Sequence, residues 1–460
     1  MTYQKNNSQE FLKELGINLE EKQTINKAIS EFMDKRDLAK RVLKVQPFYF
    51  DNNKNWWYWN NKATCWRLTD ETDILNTIGD LSNANTIKTQ DRYEILEALR
   101  QEARKNKPKD IKPNWLQFKG EIFDIETGEQ FPATPEYFAV NPLPYALNKN
   151  NLEETPTIDR IFKEWVGEEY SKTLYEIIAY CMVPNYPIHR LFCFIGEGLN
   201  GKSCYLNLLK KFVGIENIIS TDLDKLLNSN FERTKLYKKL ACEMGETNFN
   251  TISKTSILKQ LTGQDLIGGE YKFKNAFDFE NYAKILIATN NLPETTDKTI
   301  GFYRRWLIVD FKNKFSEKID ILKTIPEEEF ESLALKCCSI LADLLKKREF
   351  YKEGSIEDRQ KRYEEKSNPM DKFLKEFCDT SEPDAYVFSW EFNQKFNEFC
   401  KDNRFREFNE HSIGDKLKGL GFEKGRKLIK TIYNEEKNYR VWYGLKFKDN
   451  KKTYKMGVLE

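Results

Sequence analysis

The run LFCFIGEGLNGKSCYLNLL constrains the fold more than any other stretch of the chain. Leu191 to Ile195 read as a buried strand, and helical apolar spacing begins just past Lys202. Between them stands Gly196-x-x-x-x-Gly201-Lys202-Ser203. A strand, a glycine-rich turn and a helix in that order let backbone N–H groups and a helix N-terminus surround phosphate groups. Gly196, Glu197, Gly198, Leu199, Asn200, Gly201, Lys202, Ser203 and Cys204 are therefore the candidate nucleotide-binding residues. Lys202 is expected to reach the β- and γ-phosphates and Ser203 to ligate Mg2+.

Strand and helix patterns alternate from there to residue 311, which predicts a sheet layered with helices. Hydrolysis of a bound nucleotide also needs an acid at the tip of a neighbouring strand. The stretch LYKKLACEMGET offers Glu246 at its end, with Leu240, Cys242 and Met244 expected on one face. Glu243 competes, with a structural pairing to a lysine as the plainer reading. Downstream, AKILIATNNLP is a buried strand ending in Asn290 and Asn291, where an amide can position water. In GFYRRWLIVDF, Arg304 and Arg305 precede another strand. An arginine offered to a neighbouring subunit's nucleotide stabilises charge on the transferring phosphoryl group.

The chain has 460 residues, enough for several units, and 74 Lys plus Arg against 72 Asp plus Glu. Any affinity for nucleic acid must then come from local patches. The polar start and the shortness of the apolar runs point to no membrane segment. Nine cysteines without a C-x-x-C pair suggest reduced core thiols and a cytoplasmic protein. His189 and His411 lack companions at metal spacing. Residues 1-46 read as a helical segment and 47-150 as an α+β domain with hairpins turning at Asn60-Asn61 and Thr127-Gly128. Trp56, Trp57, Trp59 and Trp66 are assigned to its core rather than to base stacking. Residues 321-368 read as a helical extension ending in a charged linker. The last unit, 369-460, runs strand, two helices and two strands, which suggests a winged helix.

In order along the chain, FKGEIFDIETGE, the PEYF run, GEGLNGKS, LYKKLACEMGET, LKQLTGQDLIGGEYKFKNAFDF, ATNNLP and GFYRRWLIVDF resemble the superfamily 3 helicases of phages, plasmids and mobile islands. The nearer likeness is to the vaccinia-type primase-helicase family. The resemblance implies an AAA+ phosphate-loop motor over 151-320 that uses ATP and Mg2+. It further implies a homo-hexameric ring that moves a DNA single strand through its channel and serves replication initiation in a bacterial host. It selects Asn290 as sensor, Arg305 as the trans-acting finger and Arg304 as the second choice. It places Lys272, Phe273 and Lys274 at the tip of a channel hairpin. Superfamily 3 strands often end in two adjacent acids, whereas here Gly245 precedes Glu246. Tails like 369-460 often bind DNA, here origin duplex, through Lys416 and Lys418 on a recognition helix and Lys424, Arg426 and Lys427 beside a wing. A D-x-D pattern for primer synthesis is missing from residues 1-114, so a separate primase or polymerase is an expected partner. Two other readings share the nucleotide site: a protein-remodelling AAA+ ATPase and an origin-binding protein that uses ATP only as a switch. The basic run YKFK suits phosphate better than polypeptide.

Overall fold

In the aromatic stretch after residue 47, alternate large residues must find cover on one side of a hairpin. They do so in a computed structural model that describes residues 35–82, 87–147, 153–196, 198–245, 251–252, 254–272, 276–316, 320–402, 405, 407–430 and 436–448. Helix α1 (Lys35–Val45) leads into an antiparallel sheet of β1 (Phe48–Phe50), β2 (Trp56–Asn60) and β3 (Cys65–Thr69). Asn60 pairs with Cys65 at the hairpin end, and Trp56, Trp57, Trp59 and Trp66 are all buried. Helices α2 (Glu71–Ser82) and α3 (Thr89–Lys105) pack alongside. A second antiparallel sheet follows, made of β4 (Trp115–Phe118), β5 (Glu121–Asp124) and β6 (Gln130–Pro132), with Gly128 at φ 72° in the turn between the last two strands.

Helix α4 (Pro156–Cys181) breaks at Gly167, whose φ of 79° is not helical. Beyond it lie β7 (Leu191–Ile195), α5 (Lys202–Val213), β8 (Ile218–Ser220), α6 (Leu223–Asn228), α7 (Asn230–Thr234) and β9 (Ala241–Met244). Then come β10 (Thr251–Ile252), α8 (Thr255–Leu261), β11 (Leu266–Gly269), β12 (Phe277–Glu280), β13 (Lys284–Thr289), β14 (Glu294–Thr295), α9 (Ile300–Tyr303) and β15 (Trp306–Asp310). Five of these strands form one parallel sheet in the order β15-β7-β13-β9-β8. Parallel strands are covered on both faces, which is why these runs are apolar throughout. Phe192, Phe194, Leu286 and Val309 enter one core with α5 and α4, while Cys193, Ile195, Ile287 and Ile308 enter another with α8 and α9. Cys242 and Met244 share that second core, but Leu240, just before β9, belongs to the first. The chain leaves β7 for the far edge of the sheet and returns to its other side. The carboxyl end of β7 is thus a topological switch point, where open α/β sheets bind ligands.

Helix α10 (Glu327–Lys347) packs on α4. The stretch read as a linker is instead helix α11 (Ile356–Ser367), opened by a capping box at Ser355 and Asp358. Its Tyr363 is fully buried in the second core, so apolar anchorage overrides the charged composition. The C-terminal unit contains α12 (Pro369–Phe377), β16 (Cys378–Asp379), β17 (Tyr386–Phe388), α13 (Ser389–Asp402), α14 (Glu410–Gly419), β18 (Lys424–Lys430), β19 (Glu436–Tyr443) and β20 (Lys446–Phe447). Its main sheet is antiparallel in the order β17-β19-β18, over a core that includes Phe373, Phe396, Ile413 and Trp442. No described helix is long and apolar enough to cross a membrane.

Candidate nucleotide site

The loop after β7 curls because its residues adopt left-handed backbone angles: Gly198 at φ 101°, Leu199 at 51° and Gly201 at 91°. Close neighbours also demand glycine. A Cβ on Gly201 would lie 2.5 Å from Trp165 Nε1, and one on Gly196 would lie 2.4 Å from the Phe311 carbonyl oxygen. Asn200 stitches the loop to the adjacent strand by donating to that same carbonyl at 3.3 Å. Phe315 N donates to Leu199 O at 2.7 Å, so the segment after β15 backs the loop.

Lys202 opens α5 and is buried. Its ammonium donates to the Gly196 carbonyl, to Asn200 Oδ1 at 3.2 Å and to Asn290 Oδ1 at 3.4 Å. Residues far apart in sequence therefore meet at the carboxyl ends of β7 and β13, as their parallel pairing requires. Ser203 is exposed on the first turn of α5, and Cys204 is partly covered, its thiol pushed up by burial and by Asp320. Glu197 lies outside the described residues. A cleft of about 890 Å³ opens beside the loop, lined by Gly196, Gly198, Asn200, Asn290 and Asp310 among others.

Charges of both signs border this cleft: Lys312, Lys314, Lys366, Lys372 and Lys375 line it together with Asp310, Glu365, Asp371 and Glu376. Burial would raise the Asp310 carboxyl, but Arg362 and Lys366, at 2.9 and 3.0 Å, hold it below its ordinary value. These lysines and Trp165 were not identified from the sequence. Lys312 and Lys314 directly follow Phe311, which was a usable signal, whereas Arg362 and Lys366 arrive only through tertiary packing.

Of the two candidate acids, Glu243 is buried on β9 and ion-paired with Lys210 of α5, the structural role weighed against catalysis. Glu246 lies outside the described residues. The arginines stand at the opposite edge of the sheet, where Leu191 N donates to the Arg305 carbonyl at 2.7 Å. One strand of roughly 3.3 Å per residue separates them from the loop, too far for either to serve its own nucleotide. Arg305 is turned inward: its guanidinium donates to Thr262 Oγ1 at 2.8 Å, to the Lys259 carbonyl at 3.2 Å and to the Gly301 carbonyl. Burial and the neighbouring Arg304 lower it to about 10. Three of its five N–H donors are thus held within the chain, which leaves Arg304 the more exposed of the two arginines. Arg304 is partly exposed, and its buried Nε has no hydrogen-bond partner among the described residues.

Strands β11 and β12 form an antiparallel hairpin ahead of β13, ending at the Gly269–Phe277 pair. Lys272 is in its turn and exposed, and Phe273 and Lys274 lie outside the described residues. In the C-terminal unit Lys416 pairs with Glu294 at 2.8 Å, docking α14 on the loop after β13. One of its three N–H donors is thus spent on a contact within the chain. Lys418 and Arg426 are exposed, Lys424 pairs with Glu410 at 3.3 Å, and Lys427 sits 3.7 Å from the Tyr386 ring centroid.

Residues 194–305 match a family of unknown function, DUF5906. The chain is similar to a protein of Acanthamoeba polyphaga mimivirus described as "Putative helicase L207/L206", at 23% identity over 229 residues. That similarity takes in 46% of this chain and 23% of the viral protein, so the chain spans under a quarter of its relative. Among solved structures, the apo A form of the NrS-1 C-terminal region aligns at a TM-score of 0.45 with 12% identity, over 87% of this chain and 97% of that one.

Proposed function

We propose that the chain is an ATP-hydrolysing DNA helicase motor of the superfamily 3 type, serving replication of a mobile element. The observation that carries this reading is the meeting of Lys202 and Asn290 at the switch point of a parallel sheet, beside a lysine-bordered cleft. The triphosphate of ATP fits such a place, because Lys202 can exchange its carbonyl and amide partners for phosphate oxygens. Ser203 would hold Mg2+ together with an acid, for which Glu246 remains the candidate. The metal, when bound, neutralises charge on the phosphates. Asn290 would orient the attacking water.

The sheet order and the hairpin ahead of β13 support an AAA+ motor, and the C-terminal elements support a winged helix. The separation of the arginines from their own loop supports a ring, in which Arg304 completes a neighbour's site and Arg305 braces the turn that presents it. Lys272 at the hairpin turn favours nucleic acid over polypeptide as the cargo. The test is ATP turnover by the purified chain with and without single-stranded DNA. Turnover that DNA stimulates severalfold supports the motor. Turnover indifferent to DNA favours an ATP switch or protein remodelling.

A further inference from the structure

The C-terminal sheet has two unlike faces. Directly opposed residues share a face, so Val387 and Trp442 lie together on the inner one, buried against the helices. The outer face carries Tyr386 opposite Tyr443, Phe388 opposite Val441, and Tyr439 opposite Lys427. Phe388 lies 6.1 Å from Trp390 with ring planes 19° apart, and 5.3 Å from Tyr439. Trp390, on the first turn of α13, is 56% exposed. Phe388, Tyr439 and Tyr386 are half-buried, and with the exposed Trp390 they form one connected aromatic group at the surface. Gly425 lets the group lie flat, since a Cβ there would sit 2.5 Å from Tyr443 Cε2.

Charge sorts along the same face. Lys427 covers Tyr386, and Lys437 lies on the outer side of β19 by its pairing with Ile429. Lys424 and Arg440 are drawn toward Glu410, away from the rings. At the far end Glu382, Asp384 and Glu391 line a cleft together with Tyr386, Phe388 and Lys446. A polyanion is held off at that end of the face and drawn to the hairpin end, where Lys427 and Lys437 lie. Bases in a duplex are already stacked, whereas unpaired bases offer free π-faces to aromatic side chains.

We propose that this outer face is a stacking platform for single-stranded nucleic acid, with Trp390, Phe388 and Tyr439 taking bases and Lys427 and Lys437 taking phosphates. It shares Lys427 with the wing contacts implied by family likeness but adds aromatic stacking to them, and it requires no ATP chemistry. The test is fluorescence anisotropy of a labelled oligothymidylate, and of a duplex with the same number of phosphates, titrated with the full chain in the absence of nucleotide. Trp390→Ala and Tyr439→Ala should each weaken oligothymidylate binding by about tenfold, the scale of one stacked base. Trp390→Phe should restore most of that loss, and duplex affinity should hold. Because no nucleotide is present, the outcome stands whether or not the chain proves to be a motor. Unchanged oligothymidylate affinity in both alanine variants overturns the proposal, as does an equal loss on duplex. A shift in sedimentation of Trp390→Ala with unchanged oligothymidylate affinity also overturns it, by making the face a contact between copies.

Discussion

The two edges of the five-stranded sheet each bury a cation, yet they treat it differently. At the carboxyl edge Lys202 is held by the Gly196 carbonyl and the amide oxygens of Asn200 and Asn290, three residues that line a cleft. At the amino edge Arg305 and Lys284 are enclosed, the first by Thr262 and two carbonyls, the second by the Val183 and Asn185 carbonyls and the Tyr180 ring. A cation beside open space can trade its partners for those of a ligand. One enclosed on every side by its own chain has no ligand to trade them for. The carboxyl edge is therefore where a single chain can offer a cation to a ligand, and the amino edge leaves Arg304 as its partly exposed arginine.

The sharpest break of that comparison is Lys202→Ala. ATP turnover should fall to background, at least about 100-fold, with the circular dichroism spectrum unchanged. Next, Arg304→Ala should lower turnover by about 1000-fold, the scale of a trans-acting arginine, while changing stability by under about 0.5 kcal/mol. Mixing it with Lys202→Ala subunits should restore activity, because each supplies what the other lacks. If no mixing ratio recovers turnover, the trans role fails. Arg305→Ala should act on stability, costing about 2–3 kcal/mol in denaturant unfolding, since a buried hydroxyl and two carbonyls lose their donor. A fully stable Arg305→Ala protein would return that residue to candidacy as the finger.

Smaller effects sharpen the contrast further. Burial lowers the Lys284 ammonium to about 7, whereas in the unfolded chain it titrates near 10.5. The folded protein then gives up this proton first, so the destabilisation is full below about pH 7 and lessens as pH rises toward 10.5. Lys284→Met should be more thermally stable than the parent at pH 6.5, by a margin that shrinks at pH 9. A constant difference would mean that the flanking carbonyls and rings keep the ammonium charged. Smallest of all, Lys416→Ala should cost under about 1 kcal/mol, because its pair with Glu294 is partly solvated.

Local order was legible in the sequence where periodicity and glycine placement decide it. The strand, loop and helix around Gly196–Ser203, the buried strand ending at Asn290 and the tryptophan hairpin core all follow from spacing. What local spacing does not carry is who meets whom. The inward turn of Arg305 depends on Lys259 and Thr262, and the occupation of Lys416 depends on Glu294 from a distant segment. The helix at Ile356–Ser367 looked like linker because its polar face dominates the composition, and one buried tyrosine with Arg362 decides its place. The aromatic platform was hidden for a related reason. Phe388 and Tyr439 become neighbours only when β17 and β18 pair with β19.

Strand displacement on forked DNA tests the central claim most directly, using either a 3′ or a 5′ tail, with and without ATP. The account predicts displacement that requires ATP, occurs with one tail polarity and is absent in Lys202→Ala. Displacement that persists without ATP or in Lys202→Ala, or none on either fork with ATP present, would contradict it.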